Sequence, residues 1–169
     1  MVGSLHQFKR FLTSPAILYL YKNQIRTRMD YCCQIWVGSA QTSQSSLDVV
    51  HKRLHSLVGD ELFGTLQPLS HRRDVSSLSL LYRYFHGKCS DELRQMVPPL
   101  KEFGRSTRLA SSSHPYVLDI PKAKSKFHSQ SFFPRTAGIW NRLPQSSFPD
   151  TYDLGLFKSR VNKLLPTLS

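Results

Sequence analysis

The sequence predicts a mostly α protein: a bundle of about five to six helices, with a basic irregular linker and room for one short β-hairpin. Three observations carry that expectation. Apolar residues recur every three or four positions in several stretches, and glycine or proline follows most of those stretches. The composition, 40% hydrophobic and 20% charged, is that of a globular chain. At 169 residues the chain has the size of one domain and also allows two small lobes joined by a linker. The pattern separates a helical region at 1–100, a basic linker at 101–130 and a second helical region at 131–169, which can pack with the first.

The first helix is expected over 14–29, with Ser14 as cap, Pro15 in the first turn, and Ile17, Tyr21, Ile25 and Met29 on one face. Tyr31 to Trp36 continues or kinks it, and Gly38-Ser39 ends it. A second helix over 46–58 buries Leu47, Val50, Leu54 and Leu57/Val58 before the Gly59 stop. The third, over 72–86, offers Val75, Leu78, Leu81, Tyr82 and Phe85 to the core and stops at Gly87. Ser90-Asp91-Glu92 opens a short fourth helix that Pro98-Pro99 must end.

From Lys101 to Lys126 the helical period fails, although Tyr116 to Ile120, between Pro115 and Pro121, alternates as a short strand does. Two more helices follow. One covers 132–143 with Phe133, Ile139, Trp140 and Leu143 inward. The other covers 153–165 with Leu156, Phe157, Val161, Leu164 and Leu165 as its stripe and Lys158, Arg160 and Lys163 in solvent.

No apolar run reaches the roughly 20 residues a bilayer requires. The best candidate is interrupted by Lys22, Arg26 and Arg28, and the first residues lack a secretory core, so a cytosolic or nuclear protein without a membrane partner is expected. Cys32, Cys33 and Cys89 have neither disulfide nor zinc-ribbon spacing and read as buried small apolar residues.

The net charge is +12, from 23 Lys and Arg against 11 Asp and Glu. Such an excess attracts polyanions by counterion release, and nucleic acid is the commonest of these inside a cell. Lys22, Arg26 and Arg28 on the first helix, Arg72 and Arg73, and Arg105, Arg108, Lys122, Lys124 and Lys126 of the linker are the candidate phosphate contacts. Arg135 suits either a phosphate or an acidic partner. Tyr116, Phe127 and Phe132 are candidates for stacking on unpaired bases and equally for the core, which is the expected place of Phe132 and Phe133.

Catalytic signatures are missing. The only adjacent acidic pairs, Asp60-Glu61 and Asp91-Glu92, stand at helix ends, where the dipole accounts for them. His51 and His55 have zinc-compatible spacing, but Lys52 and Arg53 between them oppose a dication. There is no nucleophile elbow and no glycine-rich phosphate loop. No catalytic residue, metal or cofactor is therefore expected.

Three stretches carry a resemblance. They are Leu20-Tyr21-Lys22 through Met29-Asp30-Tyr31-Cys32-Cys33-Gln34-Ile35-Trp36; Pro68-Leu69-Ser70-His71-Arg72-Arg73-Asp74-Val75, continuing through Leu81 to Ser90; and Ser131-Phe132-Phe133-Pro134-Arg135-Thr136-Ala137-Gly138-Ile139-Trp140-Asn141-Arg142-Leu143-Pro144 with Phe157-Lys158-Ser159-Arg160-Val161. In this order and spacing the chain resembles the C-terminal end of the reverse-transcriptase polyprotein of jockey-like non-LTR retrotransposons. The resemblance implies a thumb and post-thumb segment, with the palm carboxylates and the endonuclease of such polyproteins absent. It implies a non-catalytic fragment of an RNA-directed DNA polymerase that holds an RNA or DNA backbone without sequence readout, partnered by the missing palm. The alternative is an inactive remnant or host-derived interaction protein with no nucleic-acid role.

Overall fold

The structure, a computed structural model, describes residues 7, 11–36, 38, 41–102, 114–120, 122–123 and 125–167. It divides into two compact units, Met1–Ser70 and His71–Ser169, each with its own apolar core. The division falls at Ser70/His71, whereas the sequence pattern set a boundary near residue 100. The protein is mostly helical, as expected. Among the described residues no helix is long and apolar enough to cross a membrane.

In the first unit, α1 (Ser14–Leu20) passes through a π-helical turn (Tyr21–Ile25) into α2 (Arg26–Asp30). The four-residue repeat is all inside: Ile17, Tyr21, Ile25 and Met29 are buried. The cap is Thr13 rather than Ser14, and the Ile17 N–H donates to the Thr13 carbonyl at 3.0 Å. Cys32, with φ of 50°, breaks the helix before α3 (Cys33–Trp36). Cys33 is buried as expected, whereas Cys32 is exposed because it occupies that turn.

The helix α4 (Gln41–Val58) starts earlier than its apolar stripe does and buries Leu54, Leu57 and Val58. Gly59 at φ 85° ends it, a conformation that a side chain would strain, and α5 (Asp60–Gly64) follows with Asp60 and Glu61 in its first turn. His51 meets the buried Tyr21 hydroxyl at 2.9 Å, and His55 pairs with Asp60. Both imidazoles lie against Phe63, at 4.7 and 4.4 Å between centroids.

The second unit contains α6 (Leu69–Phe85, from His71 onward), α7 (Asp91–Gln95), α8 (Lys126–Ser129), α9 (Phe132–Trp140) and α10 (Leu154–Leu164). Gly87, at φ 67°, turns the chain so that its N–H bonds the Tyr84 carbonyl and that of Lys88 the Arg83 carbonyl, satisfying the last turn of α6. The core is aromatic. Tyr82 stacks on Phe157 at 4.2 Å, and the fully buried Trp140 lies 5.8 Å from Phe157 and 4.9 Å from Phe148. Asp153 caps α10 by accepting the Leu156 N–H at 2.8 Å. Leu156 itself is exposed, which corrects the expected stripe: at the first turn the buried face is that of Phe157 and Val161.

Among the described residues the only β-type pairing is the bridge between Leu100 and Leu118, in place of a hairpin. After a turn at Pro115-Tyr116 the chain runs through the bridge at Leu118, and residues 116–119 alternate their partners. The Val117 carbonyl accepts from the Lys101 N–H, and the Asp119 N–H donates to the Pro99 carbonyl, both at 2.8 Å. The intervening groups turn to α9: the Trp140 indole donates to the Tyr116 carbonyl at 2.7 Å. Asn141 accepts from the Leu118 N–H and donates to the Leu118 carbonyl, each at 2.8 Å. The side chains of Trp140 and Asn141 thus stand where a second neighbouring strand would. His114, buried, bonds the Trp140 carbonyl through Nε2 at 3.1 Å and accepts the Tyr116 N–H at Nδ1.

Asn141→Leu removes both bonds and leaves the buried Leu118 amide and carbonyl without partners. The second unit should then lose about 2–4 kcal/mol, read by urea denaturation, and a loss below about 0.5 kcal/mol would contradict the clamp. Both His114 nitrogens are used by the neutral ring, and burial holds the imidazole below its ordinary value of 6.5. The unfolded chain takes up that proton as pH falls through 6.5 and the folded one resists it, so stability present above 6.5 is lost below it. The melting temperature should fall from pH 7.5 toward about pH 5.5, and His114→Gln should flatten that slope; His86, lowered by burial and by Lys88, acts in the same direction.

Candidate nucleic-acid interface

Positive charge is unevenly distributed. Residues 71–169 hold 16 Lys and Arg against 7 Asp and Glu, a net of +9, while residues 1–70 hold 7 against 4, a net of +3. The two cation types also behave differently. Every described lysine, from Lys22 to Lys163, is exposed, whereas Arg26 and Arg73 are buried and Arg72, Arg135 and Arg160 are half-buried. An ammonium is a strongly hydrated point charge, and a guanidinium is planar, weakly hydrated and suited to fixed hydrogen bonds indoors.

The expected phosphate contacts therefore sort into three groups. Lys22, Arg28, Lys122 and Lys126 are exposed, as a backbone-binding role requires. Arg26 and Arg73 are corrections. The four-residue period that turns Ile25 and Met29 inward carries Arg26 with it, and its Nη2 donates to the Gln67 carbonyl at 3.0 Å; Arg73 is 5% exposed, two residues from the buried Val75. Arg72 is half-buried at the start of α6. Arg105, Arg108 and Lys124 lie outside the described residues.

Arg135, for which a phosphate and an acid were equal expectations, meets the acid. Its Nη1 lies 3.4 Å from Asp74 Oδ1, and its Nη2 donates to the Ser77 hydroxyl at 3.2 Å. Burial pushes the Asp74 carboxyl up from its ordinary range, against the opposing pull of Arg135, His71, Arg142 and Arg73. His71 in turn bonds the Asn162 side chain at 2.9 Å. Polar residues of the second and third sequence stretches thus tie α6 to α9 and α10.

Of the aromatics, Phe127 is 79% exposed on α8, adjoining Lys126 and near Lys122 in sequence, and Ser125 caps that turn by accepting the His128 N–H. Phe132 and Phe133 are half-buried against the core. Tyr116 is half-buried, with its ring 4.9 Å from Phe148. Lys158 and Lys163 on α10 join the exposed set. Their placement opposite the Phe157–Val161 stripe was readable from the period, but nothing in the sequence set them apart from ordinary solvated lysines.

No family model, no curated protein and no solved structure matches the chain. Among the described residues no group of three or more His, Cys, Asp or Glu side chains is placed to hold a metal ion.

Arg135→Ala should lower the stability of the second unit, with a coupling to Asp74→Ala on the order of 1 kcal/mol because the pair is only partly desolvated. RNA affinity of the folded variant should stay unchanged. A drop in affinity matching that from an exposed lysine would assign Arg135 to phosphate instead.

Proposed function

We propose that this chain is a non-catalytic, thumb and post-thumb segment of a jockey-like retrotransposon reverse transcriptase, and that it binds the nucleic-acid backbone without reading sequence. The observation that carries the reading is the net +9 of residues 71–169, to whose exposed charge every described lysine and Arg83, Arg94 and Arg142 contribute. Exposed cations that reach phosphates supply affinity without sequence readout, which would require contacts to base edges. The three motif stretches support the polymerase origin, and the exposed Phe127 among basic residues supports contact with unpaired bases. The cytosol or the nucleus, where such a template is met, is the proposed location.

A second reading has one observation in its favour. Phe11, Tyr19, Tyr31 and Ile35 of the first unit are large and more than two-thirds exposed. Such side chains suit helices that pack on a further protein region, and the palm of a polymerase is the region the motif resemblance implies. In that reading the chain is a structural remnant without a nucleic-acid role.

Fluorescence anisotropy with labelled single-stranded RNA, single-stranded DNA and duplex separates the two. Four phosphates held by lysines would give a slope of log affinity against log salt of about −3 on a single strand, roughly a fifty-fold loss between about 50 and 200 mM. Binding that is absent, or indifferent to salt, on all three ligands would leave only the structural reading.

A further inference from the structure

A cleft of about 600 Å³ opens on the second unit between residue 116, the 145–150 turn and the end of α10. Its walls are of two kinds. The Tyr116 ring, braced by the buried Phe148 at 4.9 Å, supplies a flat apolar surface. Opposite in chemistry are Lys163 and Arg160, with Asp150 and Gln145 completing the lining. Arg160 is fixed, because Nη1 donates to the Ser146 carbonyl at 3.0 Å and to the Phe148 carbonyl at 3.2 Å. Those two bonds hold one edge of a planar group and leave Nε and Nη2 for another acceptor.

The combination selects among ligands. A bare anion would use the cations and ignore the ring, while an apolar molecule would leave Lys163, Arg160 and Asp150 desolvated without partners. The volume lies within the range of small-molecule sites, and a nucleotide supplies each complement in one unit. Its phosphate answers the ammonium and the rigid guanidinium, its base stacks on the phenol ring, and its ribose hydroxyls are donors for a carboxylate. A paired base cannot reach such a ring, since both its faces are occupied in the duplex.

We infer that this cleft binds one unpaired ribonucleotide of an RNA strand, with the phosphate held by Lys163 and Arg160, the base stacked on Tyr116 and the ribose 2′-hydroxyl donating to Asp150. The inference rests on the nucleic-acid reading above and sharpens it, from any backbone to single-stranded RNA. Phosphate contacts alone hold DNA and RNA alike; the stacking ring supplies the preference for an unpaired strand, and the acceptor at Asp150 that for ribose.

The test uses the full chain with oligouridylate, the matching DNA strand and uridine monophosphate. Lys163→Glu should weaken RNA binding about tenfold, several times the effect of Lys158→Glu, an equal charge change on the same helix outside the cleft. Tyr116→Leu, which keeps the carbonyl that Trp140 bonds, should weaken it at least about fivefold. Asp150→Asn should reduce the preference for RNA over DNA. Uridine monophosphate should shift the NMR resonances of Tyr116 and Lys163 in the wild type and not in Lys163→Glu, with both proteins giving the same melting temperature. If Lys163→Glu and Lys158→Glu are equivalent and the nucleotide shifts neither resonance, the cleft inference is overturned while salt-dependent binding by the wild type leaves the broader reading standing. Shifts from the nucleotide in a chain that holds no oligomer would leave a mononucleotide site and overturn both the RNA-strand inference and the backbone-binding reading.

Discussion

A segment without a sheet must find partners for its backbone amides and carbonyls elsewhere, and in the second unit residues 116–119 find them on the end of α9. The pleat sends successive groups to opposite sides. Val117 and Asp119 turn to residues 99–101, and Tyr116 and Leu118 turn to Trp140 and Asn141. Asn141 presents an amide that copies the peptide group, donating and accepting at once, so one side chain replaces one rung of a ladder. Everything near the cleft depends on this. The clamp sets the height of Tyr116 over Phe148, and the bonds from His114 to the Trp140 carbonyl and the Tyr116 amide lock the same corner in the neutral state of the ring.

The acid-poor composition forces a second arrangement. With 23 cations and 11 acids, at least twelve cations have no carboxylate of their own, and two of the arginines drawn inside bond to main-chain carbonyls instead. Arg26 reaches Gln67, and Arg160 reaches Ser146 and Phe148, at chain turns where carbonyls lack helical partners. Arg135 has a carboxylate, yet that carboxylate is itself held toward its neutral form by burial. Arg26, Arg135 and Arg160 therefore act as internal ties, while the described lysines and the exposed arginines, such as Arg28 and Arg142, form the surface charge. This division cannot be read from a count of basic residues.

Helices announced themselves because the signals that specify them are local. The repeat at Ile17, Tyr21, Ile25 and Met29, the face from Val75 to Tyr82 and the stops at Gly59 and Gly87 need only neighbours within one or two turns. The fate of Arg26 was implicit in that same repeat, since a residue one position after Ile25 and three before Met29 flanks the buried face. The break at Cys32 carries no glycine or proline to mark it. The clamp and the cleft were invisible for a different reason. Each joins residues separated by twenty or more positions, such as Tyr116 with Trp140 or Tyr116 with Lys163, and no periodicity encodes such a meeting.

On the proposed reading, charge and cleft divide the work of recognition between them. Surface lysines act over roughly 8 Å at physiological salt, so they raise the rate of encounter with any polyanion and make its affinity salt-dependent without choosing among strands. Choice requires a contact that one class of ligand makes and another cannot. A ring set into the unit beside a fixed guanidinium is such a contact, because a base can occupy it only after leaving its own stack. In a single strand that step is cheap, and in a duplex it also breaks a pair. Lys163 belongs to both systems, being exposed on α10 and part of the cleft wall, so in that proposal it is the residue at which long-range attraction becomes local discrimination.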